Sequence, residues 1–199
     1  MQRRNNKHLG CCLKNQCGWI ALTGTSPSRE HLTGSQKADW LIIGAGITGL
    51  CAAHSLAEMH PQARIVIVDR QRAAQGASAR NSGFAVAHEN PSTSELLGHS
   101  GFAGYQLDSS IGLVASQEVR TRIARHSIAC EYRDSGYYFA VNDPDKLQQV
   151  EAKLKTLNAV GASAQFVQGS QLAQKLGTEH YTAAIWCGGG NALLQPAKY

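Results

Sequence analysis

Asp39-Trp40-Leu41-Ile42-Ile43-Gly44-Ala45-Gly46-Ile47-Thr48-Gly49-Leu50 is the stretch that decides how this 199-residue chain folds. A short apolar run, 39–43, ends on glycines spaced G-x-G-x-x-G, and an apolar helical pattern follows at once over 47–58. A second apolar run, Arg64-Ile65-Val66-Ile67-Val68, then ends on Asp69, twenty residues beyond Gly49. Strand, glycine turn, helix, strand and acid stand in the order of a dinucleotide-binding βαβ unit. Gly44 permits the tight turn off the first strand. Gly46 lets the backbone approach a pyrophosphate, and Gly49 lets helix and strand pack closely. The helix start at Ile47 and Thr48 offers unpaired N–H groups and a positive dipole end to phosphate. A carboxylate at position 69 suits the hydroxyls of a ribose, which favours FAD or NAD over a 2′-phosphorylated cofactor. Arg70 and Arg72 follow it and could hold a 2′-phosphate, but exposed arginines after a strand are the simpler reading.

Outward from this stretch, charge separates the chain into two parts. Residues 1–39 carry six basic groups and two acids, and the remaining 160 carry thirteen and twelve, so most of the net +5 belongs to the leader. The nearly neutral remainder gives no reason to expect nucleic-acid binding. No apolar run is long enough to span a bilayer. The leader, about 1–36, reads as an irregular, disordered tail rather than a transit peptide, because glycines interrupt any amphipathic helix in it. A cytoplasmic location is expected, with a transit peptide in the basic leader as the alternative. The six cysteines form no disulfide framework, and Cys11, Cys12 and Cys17 with His8 match no zinc spacing, so no metal is expected. Cys51 and Cys130 read as buried thiols, whereas Cys187 closes a strand with no partner in view.

Beyond the βαβ unit a helical pattern runs from Ser94 to about Ile128, with Gly101, Gly104 and Gly112 as candidate breaks. Residues 131–141 read as two strands about Ser135-Gly136. A helix capped near Asp143 and closed by Gly161 carries Leu147, Val150, Leu154 and Leu157 as its buried stripe. A strand over 163–167, a short helix over 171–176 and a strand over 183–186 complete the pattern. The expected organisation is a leader (1–36), a βαβ unit with following helices (37–128) and a partial mixed α+β domain (129–199).

The run Ala38 to Leu50, Asp69, and then Gly76-Ala77-Ser78-Ala79-Arg80-Asn81-Ser82-Gly83-Phe84 resembles the D-amino-acid-oxidase-like FAD oxidoreductases. Among these it is similar to the glycine/sarcosine oxidase and γ-glutamylputrescine oxidase branch. Trp19, the Leu32-Thr33-Gly34 lead-in and the final Gly189–Tyr199 segment fit the same branch. The resemblance implies an α/β fold, with a Rossmann-like FAD-binding βαβ unit joined to part of a mixed α+β substrate domain. It implies oxidation of a C–N bond in a small-molecule amine or amino acid. The candidate cofactor-binding set is then Gly44, Gly46, Ile47, Thr48, Gly49, Asp69, Arg70, Ala77, Ser78, Arg80, Asn81 and Gly83. In this set Ser78 caps an anion-friendly turn, Arg80 neutralises pyrophosphate or orients the flavin edge, and Asn81 bonds flavin heteroatoms. No residue is assigned a catalytic role. His88-Glu89-Asn90 reads as surface-loop polarity rather than a base, and of Tyr137 and Tyr138 one is expected in a core and the other at a cavity or solvent. Two further readings stand beside this one: an NAD-dependent dehydrogenase on the same fingerprint, and a truncated, non-catalytic nucleotide-binding fragment, since the chain stops at about half the length usual for the family.

Overall fold

The computed structural model describes residues 17–23, 31–72, 75–92 and 99–199, which fall into two compact units. One unit runs to Gly83 and includes Gln195–Tyr199, and the other is Phe84–Leu194. This division differs from the one expected at residue 128. The helix of the 94–128 pattern is counted with the later strands, and the last five residues are counted with the βαβ unit. Most of the leader, with Cys11, Cys12 and His8, lies outside the described residues, as does the loop segment 24–28.

In the first unit, part of the expected irregular leader is instead a helix, α1, Gly18–Thr23. Strand β1, Trp40–Ile43, leads through the glycine turn into α2, Ile47–Met59, and then β2, Ile65–Val68. The two strands pair in parallel, from Trp40 opposite Ile65 to Ile43 opposite Val68. The ladder is extended at both ends. Asp39 accepts the Arg64 N–H on its carboxylate (2.8 Å), and the Gly44 N–H donates to the Val68 carbonyl (2.7 Å). Close approach of α2 requires glycine at position 49, because a Cβ there would lie 2.0 Å from the Gly44 oxygen. The helix ends at His60, whose ring stacks on Trp40 at 5.7 Å, with Pro61 unable to continue it.

The second unit is built on a three-stranded antiparallel sheet ordered β4-β6-β5, made of Tyr137–Val141 (β4), Ala164–Gln168 (β5) and Ala183–Cys187 (β6). One face packs beneath α4, Leu147–Ala159, through Val150 and Leu157; the other packs beneath α5, Gly169–Leu176, through Leu172. Asp143 accepts the Asp145 N–H and opens a 3₁₀ turn with Pro144 in its first position, which leads straight into α4. Of the two strands expected over 131–141 only β4 forms. Residues before it contribute one isolated bridge, Arg133 to Leu193, and Gly136 makes the turn with a positive φ of 65°. A small antiparallel pair, β3 (Phe84–Ala85) with β7 (Ala192–Leu193), completes the sheet content of the described residues.

The helical pattern that followed the βαβ unit is one continuous helix, α3, His99–His126. Its glycines do not break it. Gly112 instead lets the backbone at Ala87 approach, since a Cβ there would sit 2.2 Å from the Ala87 oxygen. On the same face the Ser116 hydroxyl donates to the Gly190 carbonyl (2.6 Å) and the Tyr105 hydroxyl to the Glu89 carbonyl (2.7 Å). The roughly 1 kcal/mol cost of a helical glycine is thus set against packing that no larger residue permits. No helix among the described residues is long and apolar enough to cross a membrane.

Candidate dinucleotide site

The first unit brings its two motif segments together at the start of α2. Gly44 turns the chain off β1 with φ +104°, and Gly46 is the N-cap of α2 in extended geometry with no side chain to satisfy the helix amides. The first-turn N–H groups of any helix lack intrahelical acceptors. One of them finds its acceptor in the second motif: Ile47 N–H donates to the Ser78 hydroxyl at 3.0 Å. A Cβ on residue 46 would meet that same hydroxyl at 2.9 Å, so glycine here keeps the opening clear. Ser78 itself lies in a 3₁₀ turn, Ala77–Ala79, placed directly against the phosphate-type opening. A serine hydroxyl that accepts one N–H still has a proton to donate.

Asp69 sits at the end of β2, fully exposed. Its carboxylate accepts the Gln71 N–H and the Ala45 N–H, each at 2.8 Å. These two backbone bonds, Gln71 first, hold its pKa below the ordinary carboxylate value, with Arg70 adding favourable charge. The acid therefore ties the glycine turn to β2. A carboxylate has about four acceptor positions, so two remain for ligand hydroxyls.

Not every candidate side chain points where the sequence suggests. Asn81 is occupied inside its own loop: its Nδ2 donates to the Ser78 carbonyl and its Oδ1 accepts the Gly83 N–H, both at 2.8 Å. Gly83 is buried with φ +79°, the left-handed conformation this loop needs. The Arg80 Nε donates to the Gln75 carbonyl at 2.7 Å, another bond within the loop. Thr48, Arg70 and Ala77 are exposed at the same end of the unit. The sequence reading missed α1. Trp19 donates through its indole to the Asn81 carbonyl at 2.8 Å, a link over sixty-two positions that no local pattern signals.

The second unit corrects two expectations. His88 is no surface residue: it is fully enclosed, and among the described residues neither ring nitrogen makes a well-formed hydrogen bond. Burial pushes its pKa below the usual histidine range. The segment is pulled inward by Asn191, whose Oδ1 accepts the Ala87 N–H (2.9 Å) and the His88 N–H (3.4 Å). Its Nδ2 donates to the Gly188 carbonyl at 2.6 Å. The tyrosine pair also departs from expectation. Tyr137 packs on the main core and donates to the His88 carbonyl at 3.0 Å, whereas Tyr138 packs against Val167, Leu172 and Ala184 under α5. Cys187 is a free thiol, as expected; it receives the Asn191 amide at 3.5 Å, and burial raises its pKa so that it stays protonated. Cys130 is a buried thiol as expected, whereas Cys51 is only partly buried.

Comparison with known proteins identifies the family. Residues 39–199 match the model of the DAO family of FAD dependent oxidoreductases, and the chain belongs to that family. It is 26% identical over 156 residues to gamma-glutamylputrescine oxidoreductase of Escherichia coli (strain K12), an alignment covering 78% of this chain and 36% of that protein. Among solved structures it resembles glycine oxidase of Geobacillus kaustophilus, with a TM-score of 0.63 and 16% identity, over 81% of this chain and 41% of that one. L-amino acid deaminase of Proteus vulgaris gives a TM-score of 0.61 at 23% identity, over 87% of this chain and 38% of that one. These likenesses establish the Rossmann-like fold. The chain spans about a third of the length of the curated relatives it matches. FAD is the cofactor of the family, which favours it over NAD.

Proposed function

We propose that this chain carries the FAD-binding part of an oxidoreductase that oxidises the C–N bond of an amine or amino acid. One observation supports this above the others: Ser78 Oγ lies 3.0 Å from the Ile47 N–H, so the specific Gly76–Gly83 run meets the general glycine fingerprint at the same helix end. An NAD domain has no use for that second run. The residues fit an adenine dinucleotide. The Thr48 and Gly49 amides and the α2 dipole would hold the diphosphate, in the opening that Gly44 and Gly46 keep free of side chains. Ser78 would add its hydroxyl proton to a phosphate oxygen while keeping its hold on Ile47. Asp69, ionised and anchored by two backbone bonds, would accept from the ribose hydroxyls.

Bound flavin would supply the acceptor for a hydride from the carbon beside nitrogen, and the resulting imine would be hydrolysed by water. The relatives' printed names, a γ-glutamylputrescine oxidoreductase and glycine oxidases, support an amine or amino acid as substrate. No protein base is assigned, since an amine that arrives uncharged needs none, and His88 is enclosed in a core.

The test is retention of flavin. The full 199-residue chain, mixed with FAD and freed of excess by gel filtration, is expected to keep flavin absorbance. Gly46→Val, which drives a branched side chain at Ser78, is expected to lose it. A parent chain that binds NADH but no FAD, or a Gly46→Val protein with normal flavin content, would contradict the assignment.

A further inference from the structure

Helix α1 and Cys17, the residue just before it, take part in three hydrogen bonds to other parts of the first unit. The Trp19 indole donates to the Asn81 carbonyl at 2.8 Å, and the Cys17 thiol donates to the Ala79 carbonyl at 3.3 Å. From the other side, the Gln195 amide donates to the Trp19 carbonyl at 3.0 Å. Gln195 is almost completely buried, and its Oε1 also accepts the Ala197 and Lys198 N–H groups, at 2.6 and 3.2 Å. A buried amide that makes three hydrogen bonds is costly to disturb. The six-residue helix is therefore clamped between the 195–198 turn and the 79–81 loop.

The grip on that loop is transmitted further. Asn81 offers its backbone carbonyl to Trp19 while its side chain fastens the Ser78 carbonyl and the Gly83 N–H. Ser78 in turn receives the Ile47 N–H at the start of α2. Trp19, Asn81, Ser78 and Ile47 thus form one continuous hydrogen-bonded series that ends at the phosphate-type opening. Indole has a single N–H and no acceptor, so its bond to Asn81 has one direction and one geometry.

We infer that α1 is a brace for the cofactor loop, and that Trp19 and Gln195 are positioning residues for FAD, touching none of it themselves. The inference rests on the FAD reading above and extends it to residues outside both motifs. Preorganising a loop in its binding geometry raises affinity by removing the cost of ordering it on binding.

Trp19→Phe keeps the ring and removes only the donor. In the full chain without cofactor, amide hydrogen exchange over 77–83 is expected to speed up while β6 is unchanged. FAD affinity, read by flavin fluorescence titration, is expected to fall about three- to tenfold, the fold-change of one hydrogen bond. Gln195→Leu is expected to do the same through the other end of the clamp. Exchange and affinity both equal to the parent's in Trp19→Phe would overturn the brace and leave the FAD reading standing. Faster exchange with unchanged affinity would reduce α1 to a structural role and overturn the positioning claim. A parent that binds no FAD, with 77–83 still loosened by Trp19→Phe, would overturn the FAD reading and the positioning role that depends on it.

Discussion

In Phe84–Leu194 the central strand β6 carries Ala183, Ala184, Ile185 and Cys187 with no exposure at all, whereas in the βαβ unit β1 leaves Leu41 60% and Ile43 84% exposed. Both strands are short and apolar in sequence. The difference is in their neighbours: β6 has a strand on each side and a helix over each face, and β1 has one parallel partner and α2. Parallel strands of this composition are made to be covered on both faces. A nucleotide-type turn can be assembled from few parts: two strands, a helix and an anchored acid. A closed core cannot. Leu157, Ile185 and Val150 are shielded only because residues from three strands and two helices converge on them.

The largest expected effect probes the closed side of this contrast. Leu157→Ala removes a fully buried side chain and is expected to cost about 2–5 kcal/mol of the stability of the Phe84–Leu194 unit, read as a lowered urea midpoint. A loss no larger than that of a surface change would show that this unit is not the packed half.

A smaller effect concerns acid. His88 has a folded pKa depressed by burial below its ordinary 6.5. The unfolded chain therefore takes up a proton that the folded chain refuses. Stability is full above about pH 6.5 and falls as pH drops from there towards the folded value, at no more than about 1.4 kcal/mol per pH unit. His88→Leu is expected to remove this decline between pH 6.5 and 5 and to leave the carboxylate-driven loss at lower pH. A parent whose stability is flat across that window would show that the imidazole is hydrated in the folded state.

The smallest effect belongs to the open side. Ile43→Ser alters a residue that is 84% exposed and is expected to change stability by no more than about 0.5 kcal/mol, in the range of ordinary surface substitutions. A large loss on chemical denaturation would mean that β1 is covered in solution, and would narrow the contrast between the units.

Much of the βαβ unit was legible because its signals are local. The apolar runs 39–43 and 64–68, the helix 47–58 and the acid at 69 are read from neighbours in sequence, and the observed elements match them to within a residue or two. The second motif was legible only as a resemblance. At Asn81 the structure adds what the sequence did not show, local bonds from the amide to groups two and three residues away. Gly112 was misread as a breaker because its reason, the Ala87 carbonyl, lies twenty-five positions away in the chain. His88 was misread as surface because polarity predicts exposure on average, and the residues that draw it inside, Asn191 and Tyr137, lie 103 and 49 positions away.

The amino-acid sequence by itself determined the glycine turn, the helix that follows, the acid after β2 and the family to which these belong. Glycine sterics and apolar patterning are read from neighbouring residues, which is why such features show in the sequence. The tertiary structure alone decided which apolar strands are covered, that Ser78 meets Ile47, and that Trp19 and Gln195 clamp the loop between them. Those outcomes depend on contacts between distant residues, whose closeness is set by the packing of whole elements and leaves no periodic trace in the chain.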